Sequence, residues 1–266
     1  MKKSLFVFWL FFIILFQCTP PGPKRIIKDN LNAHFKAIDA KGTVVLYNMK
    51  KKTYTLCNEA LSSRGILPAS TFKIYNALIG LETKAADSTD YVIAWDGITY
   101  QFPEWNKDHT LQSAIKNSVV WYFQELARRI GKSRMETYIK KLPYGNMDIS
   151  KGIDTFWLEG NLKISAREQV DLLRRLYSHE LPFSESTQEQ VKEIIILEKN
   201  EVYTLRGKNG TVSRLADVYY SWFVGYLEKD NNVHFFAVNL EKDKSAFKFG
   251  EAKEITIKIL KEMKIL

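Results

Sequence analysis

The stretch YSWFVGYLEKDNNVHFFAVNLE, residues 220–241, decides the fold. Two runs rich in aromatic and β-branched residues, 220–228 and 233–241, flank the turn residues Asp230, Asn231 and Asn232, a pattern that predicts two adjacent strands; 202–208 predicts another before them. At the other end of the chain, 43–47 and 53–56 read as a strand pair joined across 48–52, after a short amphipathic helix over 29–38. Between these ends the apolar spacing is helical over 71–82, 111–131, 134–141, 165–177 and 187–198, and a last helix is expected over 251–263. Ser165 with Glu168, and Ser186 with Glu189, fit the capping box. Strands at both chain ends around a helical middle predict an α/β domain of the α+β kind. One antiparallel sheet would carry the terminal helices on one face, with a helical lobe beside it and a cleft at the boundary.

Composition narrows the function. The 266 residues carry 39 Lys+Arg against 30 Asp+Glu, a net +9, with 45% hydrophobic and 13% aromatic residues, so the chain must bury a core. Two cysteines with no Cys-x-x-Cys pair exclude a disulfide scaffold and a zinc ribbon, and four scattered histidines point away from a histidine-rich metal site. The positive charges are interleaved with acids, and the densest run, Lys50 to Lys52, reads as a solvated hairpin turn. No nucleic-acid partner is expected.

At the N-terminus Lys2 and Lys3 precede twelve apolar residues, 5–16, too few to span a bilayer core of about 30 Å. A basic start, an apolar run of this length and Cys18 before a Pro-rich segment resemble a bacterial lipoprotein signal. The expected organisation is a signal over 1–17, a tether over 18–27 and a catalytic domain over 28–266, exported to the periplasm or anchored to the membrane by a lipid on Cys18. Phe16 and Gln17 depart from the small residues usual before such a cysteine, so plain cleavage and an uncleaved anchor stay open. Export would leave Cys57 without an intramolecular partner.

The sharpest chemical feature is PASTFK, residues 68–73, at the start of a helix. Helical spacing puts Ser70 and Lys73 on one face, hydroxyl within reach of amine. A serine nucleophile needs a base, and a lysine serves only if its charge is suppressed or its amine is modified; burial does the first by disfavouring the ammonium. Ser70 also falls at a helix N-terminus, which helps stabilise an oxyanion. Alone, Ser-x-x-Lys reads first as a helix cap followed by an exposed lysine, but the neighbours change that. SVV at 118–120 interrupts the helical stretch 48 residues after Ser70, and Lys208, Asn209, Gly210 ends a strand 138 residues after it, the order of the penicillin-recognising serine enzymes. With YGN at 144–146, WLEG at 157–160 and WFVGY at 222–226, the chain resembles the class D (oxacillinase-type) β-lactamases over about 28–264.

The resemblance implies a serine β-lactamase and penicillin-binding transpeptidase-like fold, and hydrolysis of β-lactams, penicillins first. Ser70 would be the nucleophile, and Lys73 the general base as an N6-carboxylysine made with CO2 or bicarbonate; no bound cofactor or metal is implied. Val120 and Phe72 would keep the amine uncharged, Trp157 would donate its indole N–H to the carbamate, and Ser118 would relay a proton to the leaving nitrogen. Lys208 would meet the substrate carboxylate, and the N–H groups of Ser70 and Thr211 would form the oxyanion hole. Asn209, Gly210, Tyr144 and Trp105 are further substrate-binding positions. Glu159 belongs to the WLEG motif and Glu168 to a cap, so neither is expected to be a deacylating base. The chain departs from the pattern at Asn209, usually Thr or Ser, and in the carboxylate-holding arginine of the last helix. Only Lys248 and Lys253 lie between Phe247 and Ile255, and a lysine cannot form the bidentate pair; Arg214, four residues past Gly210, is the candidate substitute. Tyr75 stands where proline is frequent, and Trp121 is expected to extend the aromatic surface near Ser118. An acylated but non-hydrolysing sensor, or a peptidoglycan D,D-peptidase, are the alternatives, and the protein is expected to be a monomer or a homodimer.

Overall fold

A computed structural model describes residues 22–214 and 218–266; Cys18 and the apolar run before it lie outside the described residues. The N-terminal end supplies strands β1 (Lys24–Ile27), β2 (Lys41–Asn48) and β3 (Thr53–Cys57) and short helices α1 (Ala33–Lys36) and α2 (Glu59–Ser62). The middle contains α3 (Lys73–Glu82), a small ribbon of β4 (Val92–Ile93) with β5 (His109–Thr110), then α4 (Leu111–Lys116), α5 (Val120–Ile130), α6 (Lys132–Lys141), α7 (Ala166–Tyr177) and α8 (Glu185–Ile194). The C-terminal end returns to β6 (Ile196–Lys199), β7 (Tyr203–Arg214), β8 (Val218–Lys229) and β9 (Asn232–Asp243), closed by α9 (Glu251–Glu262). Among the described residues the main sheet runs β1, β3, β2, β9, β8, β7, β6. Its centre is the antiparallel contact of β2 with β9, Val44 opposite Val238, which joins the two chain ends as expected.

Strand alternation sorts side chains onto two faces. Val44, Leu46, Phe223, Phe236 and Val238 face one way and bury Phe35 of α1 and Ala252, Ile255 and Ile259 of α9. Val45, Trp222, Val224, Phe235 and Ala237 face the other way, into the larger core shared with α3, α5 and α7. The terminal helices therefore cover one face and the helical lobe the other.

Several local expectations are corrected. Lys24–Ile27, expected within the tether, is instead a strand that pairs in parallel with β3. The helix expected over 187–198 stops at Ile194, and Ile196–Lys199 becomes an edge strand on β7. Ser165 and Glu168 do form a capping box. Ser186 and Glu189 do not: the cap is Ser184, which accepts from Thr187 N–H and donates to Glu82 of α3, while Glu189 pairs with Lys192 at 2.7 Å.

Candidate active site

Ser70, the candidate nucleophile, sits on a tight turn. Residues Ala69–Phe72 form a 3-10 helix that runs into α3, and Ala69 is held at φ 50°, a left-handed conformation that costs a non-glycine residue on the order of 1 kcal/mol. Ala69 N–H donates to Trp157 O at 3.0 Å. The Thr71 hydroxyl donates to Pro68 O at 2.7 Å and accepts from Gln169 Nε2 at 2.9 Å. These bonds over-determine the turn and fix Ser70 at its outer edge.

One helical turn on, Lys73 is completely buried. Its Nζ lies 2.9 Å from Ser70 Oγ, 2.6 Å from Ser118 O and 3.1 Å from Ser118 Oγ, and 5.5 Å from the centre of the Phe123 ring. Burial first, and the nearby Lys208 charge second, push its pKa well below the ordinary lysine value. Nζ donates to all three oxygens, Ser70 Oγ, Ser118 O and Ser118 Oγ, so the amine sits between the two serines.

Ser118 reaches the site through a break between α4 and α5. Asn117 ends α4, Ser118 turns to φ 56°, and α5 starts at Val120 beside the cleft. Lys208, 6% exposed on β7, donates to Ser118 Oγ at 3.0 Å. Burial lowers its pKa to about 8. Gly210 lets this strand approach the Ser70 turn, since a Cβ there would lie 2.8 Å from Pro68 O and 3.1 Å from Thr71 N. Gly207 N–H donates toward β6, to Ile195 O at 3.0 Å. By the alternation of an antiparallel ladder, the N–H groups of Asn209 and Thr211 point to that same edge, beyond the end of β6, where the Ser70 turn lies.

The cleft encloses about 420 Å³, with Ser70, Ser118, Val120, Lys208, Asn209, Gly210 and Thr211 in its wall. Trp105 and Phe102 stand at one rim and Phe249, 69% exposed, at the other. Trp105 is anchored by its Nε1 on Asn117 O at 3.1 Å. Lys253 lines the cleft, and the α9 start that carries it is pinned by a buried Lys242–Glu251 ion pair of 2.6 Å. Arg214 closes β7, and its side chain lies outside the described residues.

Two sequence expectations fail here. Tyr144 is not a substrate contact: it is fully buried behind the turn, edge-on to Phe72 at 5.3 Å and to Tyr75 at 4.9 Å. The rest of its motif is structural, with Gly145 at φ 51° against Lys163 O and Asn146 accepting from Lys163 N–H. Trp121 does not extend the cleft surface; it is 5% exposed and donates its Nε1 to Trp105 O at 3.0 Å, so it supports the rim from behind. Trp157 is fully buried and stacked on Phe72, with its Nε1 lacking a hydrogen-bond partner among the described residues. Sequence reasoning missed Phe102, Lys116 and Phe249 as cleft residues. They lie outside the motifs, and no local pattern marks them.

Comparison with known proteins agrees with this geometry. The Penicillin binding protein transpeptidase domain family matches residues 35–261. The chain is 42% identical over 238 residues to the probable β-lactamase YbxI of Bacillus subtilis, covering 90% of this chain and 86% of that protein. It is 39% identical over 232 residues to the regulatory protein BlaR1 of Bacillus licheniformis, covering 87% of this chain but 38% of that longer protein. The crystal structure of FUS-1 (OXA-85), a class D β-lactamase from Fusobacterium nucleatum, superposes with a TM-score of 0.86 at 39% identity, covering 91% of this chain and all of that one. A paired Ser70 and Lys73, a second serine shared by two buried lysines, and a glycine-bearing strand against the Ser70 turn thus occur on a shared fold, and the chain belongs to the class D serine β-lactamases.

Proposed function

We propose that the protein hydrolyses β-lactams, penicillins first, through an ester on Ser70. The observation that carries this reading is Lys73 Nζ, fully buried, held off its charged form and 2.9 Å from Ser70 Oγ. A neutral amine in an apolar pocket reacts with CO2, and the buried indole N–H of Trp157, without a partner among the described residues, is a donor suited to such a carbamate. Bound there, CO2 supplies a carboxylate base.

The chain's own groups do the rest. Ser70 Oγ loses its proton toward Lys73 and bonds to the lactam carbonyl carbon, while the N–H groups of Ser70 and Thr211 hold the oxyanion. As the C–N bond breaks, Ser118 hands a proton to the departing nitrogen and is resupplied from Lys73, 3.1 Å away, which frees that base for the next step, while Lys208, 3.0 Å away, orients the Ser118 hydroxyl. The substrate carboxylate lies between Lys208 and Lys253, with Asn209 as an amide donor. Water then cleaves the ester and frees Ser70.

The likeness to BlaR1 supports a second reading, acylation without release. Intact mass of the protein mixed with benzylpenicillin in bicarbonate buffer separates the two. A Ser70 adduct that appears and clears as penicilloate accumulates is expected. A persistent adduct establishes the sensor reading, and no adduct overturns both. Lys73→Ala is expected to stay folded with turnover lost.

A further inference from the structure

On the sheet edge away from the cleft, β1 and the β2–β3 turn build a basic groove. Lys24, Arg25, Lys51, Lys52, Arg167 and Arg174 line a depression of about 690 Å³ that also contains Asp171. Arg167 and Arg174 are paired with Glu59 and Glu180, at 2.7 and 3.2 Å. Lys24, Arg25, Lys51 and Lys52 are exposed and have no ion pair among the described residues. Beside them on the same edge strand, Ile26 and Ile27 are 37% and 44% exposed. Four unneutralised cations next to two exposed isoleucines form a surface that is electrostatically costly in isolation and complementary to an anionic, partly apolar plane.

The groove begins at Gly22, separated by five residues from the apolar run that ends at Phe16. Six steps of extended chain reach at most ~22 Å. Any hold on a membrane by that run, or by a lipid on Cys18, keeps this face near the bilayer. We propose that the face formed by Lys24, Arg25, Lys51 and Lys52 docks the protein on the anionic phospholipid surface of a membrane. The geometry suits an active enzyme. β7 lies five strand positions from β1, about 24 Å at the usual strand spacing, so docking by β1 leaves the cleft open to solutes.

The test is flotation of the full chain with vesicles of phosphatidylcholine alone and of phosphatidylcholine mixed with phosphatidylglycerol, at low and high salt. The apolar run contributes to both compositions, so the ratio of the two partition coefficients reports the basic face. Each cation near an anionic surface strengthens partition roughly fivefold. The ratio is expected to exceed about tenfold at low salt, to fall with added salt, and to approach unity in K24Q/R25Q/K51Q/K52Q with penicillin turnover unchanged. K51Q/K52Q, which leaves β1 untouched, is expected to lose about half of the effect on a logarithmic scale and guards against detachment of β1. Equal partition of the wild type on both lipids, or a preference unchanged in both variants, overturns the proposal, whatever the protein does to penicillins.

Discussion

Ser118 Oγ and Lys208 Nζ stand 3.0 Å apart, although the residues are 90 positions apart and lie on opposite walls of the cleft. The same hydroxyl oxygen is 3.1 Å from Lys73 Nζ, so one serine joins two buried amines that burial holds toward their neutral forms. Both amines point N–H groups at this oxygen, which leaves the Ser118 proton free to move to a third atom, such as the nitrogen of an opening ring. Ser118→Ala should therefore keep the fold and slow penicillin turnover by about 10²–10⁴-fold, the range for loss of a positioned proton donor. Steady-state hydrolysis and a thermal melt check the two halves of this statement.

The lowered pKa of Lys208 should set the alkaline side of the pH profile. As pH rises through about 8 this amine loses its charge, and with it the attraction for a substrate carboxylate, so KM should rise while the fold persists. Stability has the opposite slope. A buried lysine binds fewer protons folded than unfolded between about 8 and its ordinary 10.5, so unfolding free energy should increase with pH across that window. Lys208→Met should flatten this rise in a series of melts and abolish the KM limb; a limb that survives the substitution would assign it to another group.

Gly210→Ala tests the close approach of β7 to the Ser70 turn. The added methyl would meet Pro68 O at 2.8 Å and Thr71 N at 3.1 Å, backbone atoms of a turn pinned to Trp157 and Gln169. The strand must then move away from Ser70, at a cost of about 1–3 kcal/mol in overpacking. Acylation should suffer more than stability, because the Thr211 N–H moves with the strand. A variant as fast as wild type would show that the oxyanion is held elsewhere.

What could be read from the sequence follows from the range of each signal. Apolar periodicity and turn residues placed the sheet, the lobe and the terminal helices, because 220–241 and the helical middle each report their own burial. Edge pairing is not local: nothing in Lys24–Ile27 announces a parallel partner, and Ile196–Lys199 continues the apolar spacing of α8 although it lies along β7. The Ser186 cap failed because Ser184, two residues earlier, finds Glu82 on a distant helix. Motif order singled out Ser70, Lys73, Ser118 and Lys208, which the fold brings within hydrogen-bond reach of one another, but it does not tell which side of a backbone a motif residue supports. Tyr144 and Trp121 consequently lie behind the cleft wall, and Phe102 and Phe249 reach its rim without belonging to any motif.

Lys253 is the cation that the fold places where the last helix meets the cleft, held there by the Lys242–Glu251 pair. A charged hydrogen bond to a carboxylate is worth about 1.5–3 kcal/mol, so Lys253→Ala should raise the KM for benzylpenicillin by about 10–100-fold with kcat little changed. Lys253→Arg can form a two-pronged contact that lysine cannot, and it should lower KM relative to wild type. An unchanged KM in Lys253→Ala would move the anchor to Lys208 alone.

Trp157 offers the sharpest separation of packing from chemistry. Its ring stacks on Phe72 at 5.6 Å and its carbonyl holds Ala69, both of which Trp157→Phe preserves in large part, while the substitution removes the only polar side-chain atom that the residue buries. An unpaired buried N–H is a cost in the unmodified protein, so loss of that atom should leave the melting temperature equal or higher. If the N–H serves a carbamate on Lys73, the variant should need about tenfold more bicarbonate for half-maximal activity, the equivalent of one weak charge-assisted hydrogen bond. The ¹³C resonance of a carbamate formed from labelled bicarbonate should weaken in parallel. A stable variant with an unchanged bicarbonate requirement would confine Trp157 to packing, and the orphan donor would then need a different partner.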